Sequence, residues 1–140
     1  MRRVIGIDPG SRKTGYGIIE ISVSKIDYVT SGHISVDDEV FPKRLGIIYS
    51  EVLELARNYD VQEMAIEDVF LAKNPNSALK LGQARGVAIA AGIAKDLEIF
   101  EYAARQVKKT IVGKGSASKT QIQHMVRVLL NLPGVPQADA

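Results

Sequence analysis

Two apolar runs in this chain end on carboxylates. Val4-Ile5-Gly6-Ile7 ends at Asp8, and Pro9 and Gly10 follow at once. Met64-Ala65-Ile66 ends at Glu67 and Asp68. A carboxylate closing a buried strand is costly to desolvate unless something cationic pairs with it. Pro9 and Gly10 turn the chain, and Gly15 and Gly17 keep the next segment free of bulk, so a large anionic ligand can approach the backbone. The plainer reading is an Asp-Pro-Gly turn in which Asp8 bonds its own backbone. If the two runs are neighbouring strands, Asp8 and Glu67 stand side by side. Two close carboxylates repel unless a divalent cation or a shared proton separates them. Oxygen donors with no His or Cys nearby suit Mg²⁺ or Mn²⁺. The plainer reading for Glu67 and Asp68 is a solvated strand end. A third acid, Asp139, follows Pro136 in what reads as the first turn of a helix, where the dipole favours a carboxylate in any case.

Composition narrows the classes. A chain of 140 residues has the length of one domain and can bury a sizeable core. Hydrophobic residues at 46% and charged residues at 24% are the ordinary globular balance. The absence of cysteine excludes disulfides, thiolate metal sites and cysteine nucleophiles, and agrees with a cytoplasmic location. No signal peptide or membrane span is read, because the apolar runs are too short. The net charge of +2 says little, but its distribution is uneven. From 102 to 138 the chain carries Arg105, Lys108, Lys109, Lys114, Lys119 and Arg127 with no acidic residue. That stretch fits a polyanion partner, or a solvated basic face.

The elements that must position these residues read as follows. Arg3 to Asp8, Thr14 to Ser22 and Lys25 to Val36 are three strands with short links, hence an antiparallel meander. Lys43 to Tyr59 is a helix, with Leu45, Ile48, Val52, Leu55 and Ala56 at spacings of three and four and Pro42 in its first turn. Val61 to Asp68 is a fourth strand. Asn74-Pro75-Asn76 breaks the chain, and Asn76 or Ser77 caps a helix to about Lys95. Leu97 to Tyr102 is a fifth strand. Helices are expected over Ala103 to Val112 and from Ser116 or Ser118 to Asn131. The sum is a mixed α/β sheet with helices on its faces.

Four blocks then carry a specific resemblance: GIDPGSRKTGYGII, AIEDVFLAKNPNSALKLGQARG, FEYAARQVKKTIVGKGSASKTQIQHMVRVLL and LPGVPQADA. Together, in this order and spacing from residue 3 to the last, they resemble the RuvC family of Holliday-junction resolving endonucleases. The resemblance implies an RNase H-like fold, a five-stranded mixed sheet flanked by helices, in a single nuclease domain. It implies a homodimer that binds four-way junction DNA, makes two symmetric Mg²⁺-dependent cuts in recombination and repair, and works with a branch-migration helicase complex. Two ions per site, Mg²⁺ or Mn²⁺, are implied, with Asp8, Glu67 and Asp139 as ligands. Lys108 and Lys119 match basic residues near the scissile phosphates. Phe70 matches an aromatic that contacts unstacked bases, against core packing as the plainer role. Arg105, Lys114, Lys73, Lys80 and Arg85 are further candidates for the DNA backbone. His124 reads better as a core or surface histidine than as a catalytic one. Gly82, Gly86 and Ala90 share one helix face, which the resemblance places at the dimer interface and which could instead pack inside one subunit.

The chain departs from the family at its end. The family's last helix continues past ADA and carries a second acid three residues beyond the first, on the same helix face. Four residues after Pro136 are too few to hold a helix, so Asp139 is expected to be poorly held. The 140 residues are expected to be part of a longer protein, and this form to bind junctions but cleave them poorly or not at all. Other readings stay open: an actin- or sugar-kinase-like phosphate loop, an RNase H-like nuclease acting on RNA, or a junction-binding fragment without catalysis.

Overall fold

The computed structural model describes residues 1–10, 12–23, 26–36, 40–68 and 74–102. Its elements run β1 (Arg2–Asp8), β2 (Lys13–Ile21), β3 (Ile26–Ser35), α1 (Phe41–Asn58), β4 (Glu63–Glu67), α2 (Pro75–Ala94) and β5 (Glu98–Tyr102). They build a five-stranded mixed sheet in the order β3-β2-β1-β4-β5. The first three strands form the expected antiparallel meander, while β4 and β5 add parallel to β1 through helical crossovers. The topology puts β1 at the centre, between β2 and β4, which are far apart in sequence.

Strand alternation divides the sheet into two faces. Ile5 and Ile7 of β1, Ile18 of β2, and Met64 and Ile66 of β4 join one core cluster with Ile48, Val52 and Ala56 of α1 and Ala84, Ala88 and Ala91 of α2. The residues between them in the strands point the other way. There Val4, Ile19 and Ala65 are buried, and Asp8 and Glu67 share their side. The helix α2 meets the sheet through small residues. A methyl group at Gly92 would come within 2.8 Å of both Met64 Cε and Ile99 Cδ1, so glycine lets this turn lie on the strands.

The ends of the elements refine the expectations. Helix α1 begins two residues earlier than its apolar spacing predicts, at Phe41, with no side-chain cap from Val40. Helix α2 starts at Pro75 and is capped by Asn74, not by Asn76 or Ser77: the Asn74 side chain accepts from the amides of Asn76 at 2.8 Å and Ser77 at 3.4 Å. The Asn-Pro pair starts the helix because proline needs no donor in the first turn and asparagine supplies an acceptor. Both helices end on an aspartate with a left-handed backbone, Asp60 (φ 52°) and Asp96 (φ 61°). The amides of Val61 and Leu97 bond back to Ala56 and Gly92, which closes each helix and aims the chain into β4 and β5. The helices expected after residue 102 lie outside the described residues. No helix among the described residues is long and apolar enough to cross a membrane.

Candidate active site

The parallel register of β1 and β4 runs from Val4–Glu63 to Ile7–Ile66. One step further, both strands end, at Asp8 and at Glu67. Parallel strands in register place these two carboxylates side by side on the same face, as the sequence reading required. Asp8 faces Gly15 on its other flank, and Gly6 lies between Gly17 and Ala65. On this face the strands lead up to the two acids through Gly6, Gly15, Gly17 and Ala65, and all four are buried, so the small residues do not form the open approach that the sequence suggested.

The electrostatics record the crowding. Burial, and secondly the charge of Glu67, push the Asp8 carboxyl up from 3.8 to about 6. A carboxylate in that state is stabilised by any cation that joins it. The donors are all oxygens, which fits a hard divalent cation such as Mg²⁺. Among the described residues, no group of three or more His, Cys, Asp or Glu side chains is arranged to hold a metal. Asp139 lies outside the described residues.

The turn after Asp8 is held by a residue that the sequence reading passed over. Thr14 is fully buried. Its hydroxyl donates to the Gly10 carbonyl at 3.1 Å and lies 3.4 Å from the Gly10 amide. Glycine is required at that point, because a Cβ on Gly10 would fall 2.1 Å from the Lys13 carbonyl oxygen. The signal in the sequence was a threonine four residues after the glycine of the turn, a spacing at which its hydroxyl reaches back.

The remaining candidates divide. Arg85 of α2 reaches the end of β4: its Nε donates to the Glu67 carbonyl at 3.1 Å, and its Nη2 pairs with Glu101 and lies 3.5 Å from Asp68. Lys80 is exposed, with its Nζ 5.6 Å from the centre of the Phe41 ring. Gly82 and Gly86 face open space, with nothing within 4 Å of a Cβ built on either. Ala90 is exposed beside them, and Leu79 and Ile93 extend the same exposed surface. The inner side of α2 is built instead from Ala84, Ala88, Ala91 and Gly92. Phe70, Lys73, Arg105, Lys108, Lys114, Lys119 and His124 lie outside the described residues.

Comparison with known proteins places this arrangement. Residues 4–140 match the family model described as crossover junction endodeoxyribonuclease RuvC. Curated proteins of that name match along the chain. The one from Dichelobacter nodosus is 55% identical over 138 residues, covering 99% of this chain and 78% of its own length. The one from Pectobacterium atrosepticum is 58% identical over 140 residues, covering 100% of this chain and 82% of its own length. Among solved structures, Thermus thermophilus RuvC in complex with Holliday junction substrate aligns with a TM-score of 0.75 at 28% identity, covering 100% of this chain and 88% of that one. The yeast mitochondrial Holliday junction resolvase Ydc2 shares the fold, with a TM-score of 0.61 at 15% identity over 93% of this chain and 61% of that one.

Proposed function

Because this chain belongs to the crossover junction endodeoxyribonuclease RuvC family, we propose that it is a structure-selective endonuclease that resolves four-way DNA junctions in recombination and repair. The observation that carries the chemistry is that Asp8 and Glu67 stand beside each other at the ends of adjacent parallel strands.

Strands make a rigid mount for these two acids, since Asp8 is paired with Gly15 of β2 and Glu67 with Tyr102 of β5. Asp8, Glu67 and, by family resemblance, Asp139 would hold two Mg²⁺ ions, and such ions would supply activation of a water and neutralisation of charge on the phosphodiester and its leaving oxygen. The protein's own groups do the rest. Thr14 keeps the turn at Gly10 closed and out of the approach path. Lys108 and Lys119 hold the scissile phosphate and offset its developing charge. Phe70 stacks on an unpaired base at the crossover. Lys73, Lys80, Arg105 and Lys114 track the phosphates beyond the site.

Paired cuts require two such sites. The exposed face of α2, with Leu79, Gly82, Gly86, Ala90 and Ile93, supports a homodimer in which this helix meets a second copy. Glycines in mid-helix cost about 1 kcal/mol each against alanine, and close approach of another chain is what compensates on an open face. A branch-migration helicase complex is the further partner in this reading.

One gel decides the main point. The protein is mixed with a labelled four-way junction and with linear duplex, in Mg²⁺ and in EDTA, beside Asp8→Asn. Symmetric Mg²⁺-dependent cuts in the junction alone, lost in the variant, are expected. Cutting of linear duplex to the same extent, or cutting by Asp8→Asn, would overturn the proposal.

A further inference from the structure

We infer that Arg85 is a positioning residue for Glu67: from α2 it fastens the last residue of β4 to β5 and so keeps Glu67 abreast of Asp8. Three contacts carry this. The Arg85 Nε donates to the main-chain carbonyl of Glu67 itself at 3.1 Å. Its Nη2 pairs with Glu101 of β5, the partner of Ile66 in the ladder, and lies 3.5 Å from Asp68, the residue after Glu67. The side chain is only 14% exposed.

Strand β4 has five residues, and its end is where a metal ligand must not move. A bond to the carbonyl fixes the Glu67 backbone, and the two carboxylates fix the guanidinium that makes it. Arginine suits this place because its planar fork serves several acceptors at once, which the point charge of lysine does not. The surroundings also argue against a phosphate on Arg85. Asp68 and Glu101 already engage its guanidinium, which leaves less of it for a phosphate. The same helix presents Gly82 and Gly86 to the outside, so Arg85 ties the proposed dimer helix to the acid of the site.

This inference rests on the reading of Asp8 and Glu67 as metal ligands, and the experiment separates the two. Arg85→Lys and Glu101→Gln are compared with the parent in three measurements: amide exchange across residues 63–68, Mn²⁺ titration by calorimetry, and junction binding in EDTA. Both variants are expected to exchange faster at the end of β4 and to bind Mn²⁺ about 10-fold more weakly, as for other residues that orient metal ligands, with junction binding unchanged. Unchanged exchange in both variants would overturn the inference. Weaker junction binding with unchanged exchange would also overturn it, and would make Arg85 a phosphate contact. If the parent binds no Mn²⁺ while exchange is faster in the variants, the brace stands and the metal reading falls. Should Arg85→Lys unfold, Glu101→Gln decides, since it removes charge from the exposed partner alone.

Discussion

Asp8 and Glu67 end two parallel neighbouring strands one step past the Ile7–Ile66 pair, and there burial, with the charge of Glu67 as the lesser cause, holds the Asp8 carboxyl at about 6. The site is therefore strained electrostatically in the absence of a cation, and its response to pH follows in sign.

The folded protein favours the protonated form of Asp8, whose ordinary value is 3.8. Below that pH both folded and unfolded chains hold the proton and Asp8 makes no difference. As pH rises towards 6 the unfolded chain loses its proton first, so folding becomes less favourable, and above 6 the full penalty is present. Asp8→Asn should therefore raise the Tm in EDTA at pH 7 to 8 and leave it unchanged near pH 3. Thermal melts across this range check it, and an equal gain at both ends would refute the cause.

Glu67→Gln removes the second of the two causes and leaves the first. The Asp8 carboxyl should then titrate below 6 but still above 3.8, because burial remains. Carbon-detected NMR titration of Asp8 reads this directly. Junction cutting should be lost in the same variant, with junction binding in EDTA retained.

Gly10→Ala puts a methyl group 2.1 Å from the Lys13 carbonyl oxygen, which is backbone and cannot yield cheaply. The turn must open and the Thr14 bond must break. The expected loss is about 1–3 kcal/mol of stability, as for other overpacked sites, measured by urea unfolding. Cutting should fall in step, because the turn that moves is the one attached to Asp8.

Gly82→Ala and Gly86→Ala test the outer face of α2. Nothing lies within 4 Å of a Cβ at either position. Within one subunit alanine should then add about 0.5–1 kcal/mol through helix propensity. At a close helix–helix contact it should weaken self-association. Dilute thermal melts and sedimentation velocity separate the two effects, and a higher Tm with a lower dimer fraction is the expected combination.

Asp60 and Asp96 hold left-handed backbones after α1 and α2, where glycine is the favoured residue. Asp60→Gly and Asp96→Gly should each leave stability unchanged or raise it by up to about 1 kcal/mol. Alanine at the same positions should lower it. Chemical unfolding of the four variants tests the geometry of both helix ends.

The sequence by itself determined the elements and the chemistry of the donors. The short apolar runs of β1 and β4 and the three-and-four spacing in α1 are local patterns, and local patterns survive reading one residue at a time. Each element of the described fold was legible within a few residues, and the Asn74 cap was missed because Asn-Pro reads equally as a break. The acids Asp8 and Glu67 were legible because each ends an apolar run. What only the tertiary structure decided is which strand lies beside which, and in what register. That depends on contacts between residues more than fifty positions apart, and parallel pairing slides freely on paper until two cores must close at once. The register makes Asp8 and Glu67 neighbours and shifts the carboxyl of Asp8. The same closure turned Arg85, an ordinary basic residue in the sequence, inward to Glu67 and Glu101, since a guanidinium goes where the fold offers carboxylates and a carbonyl to receive it.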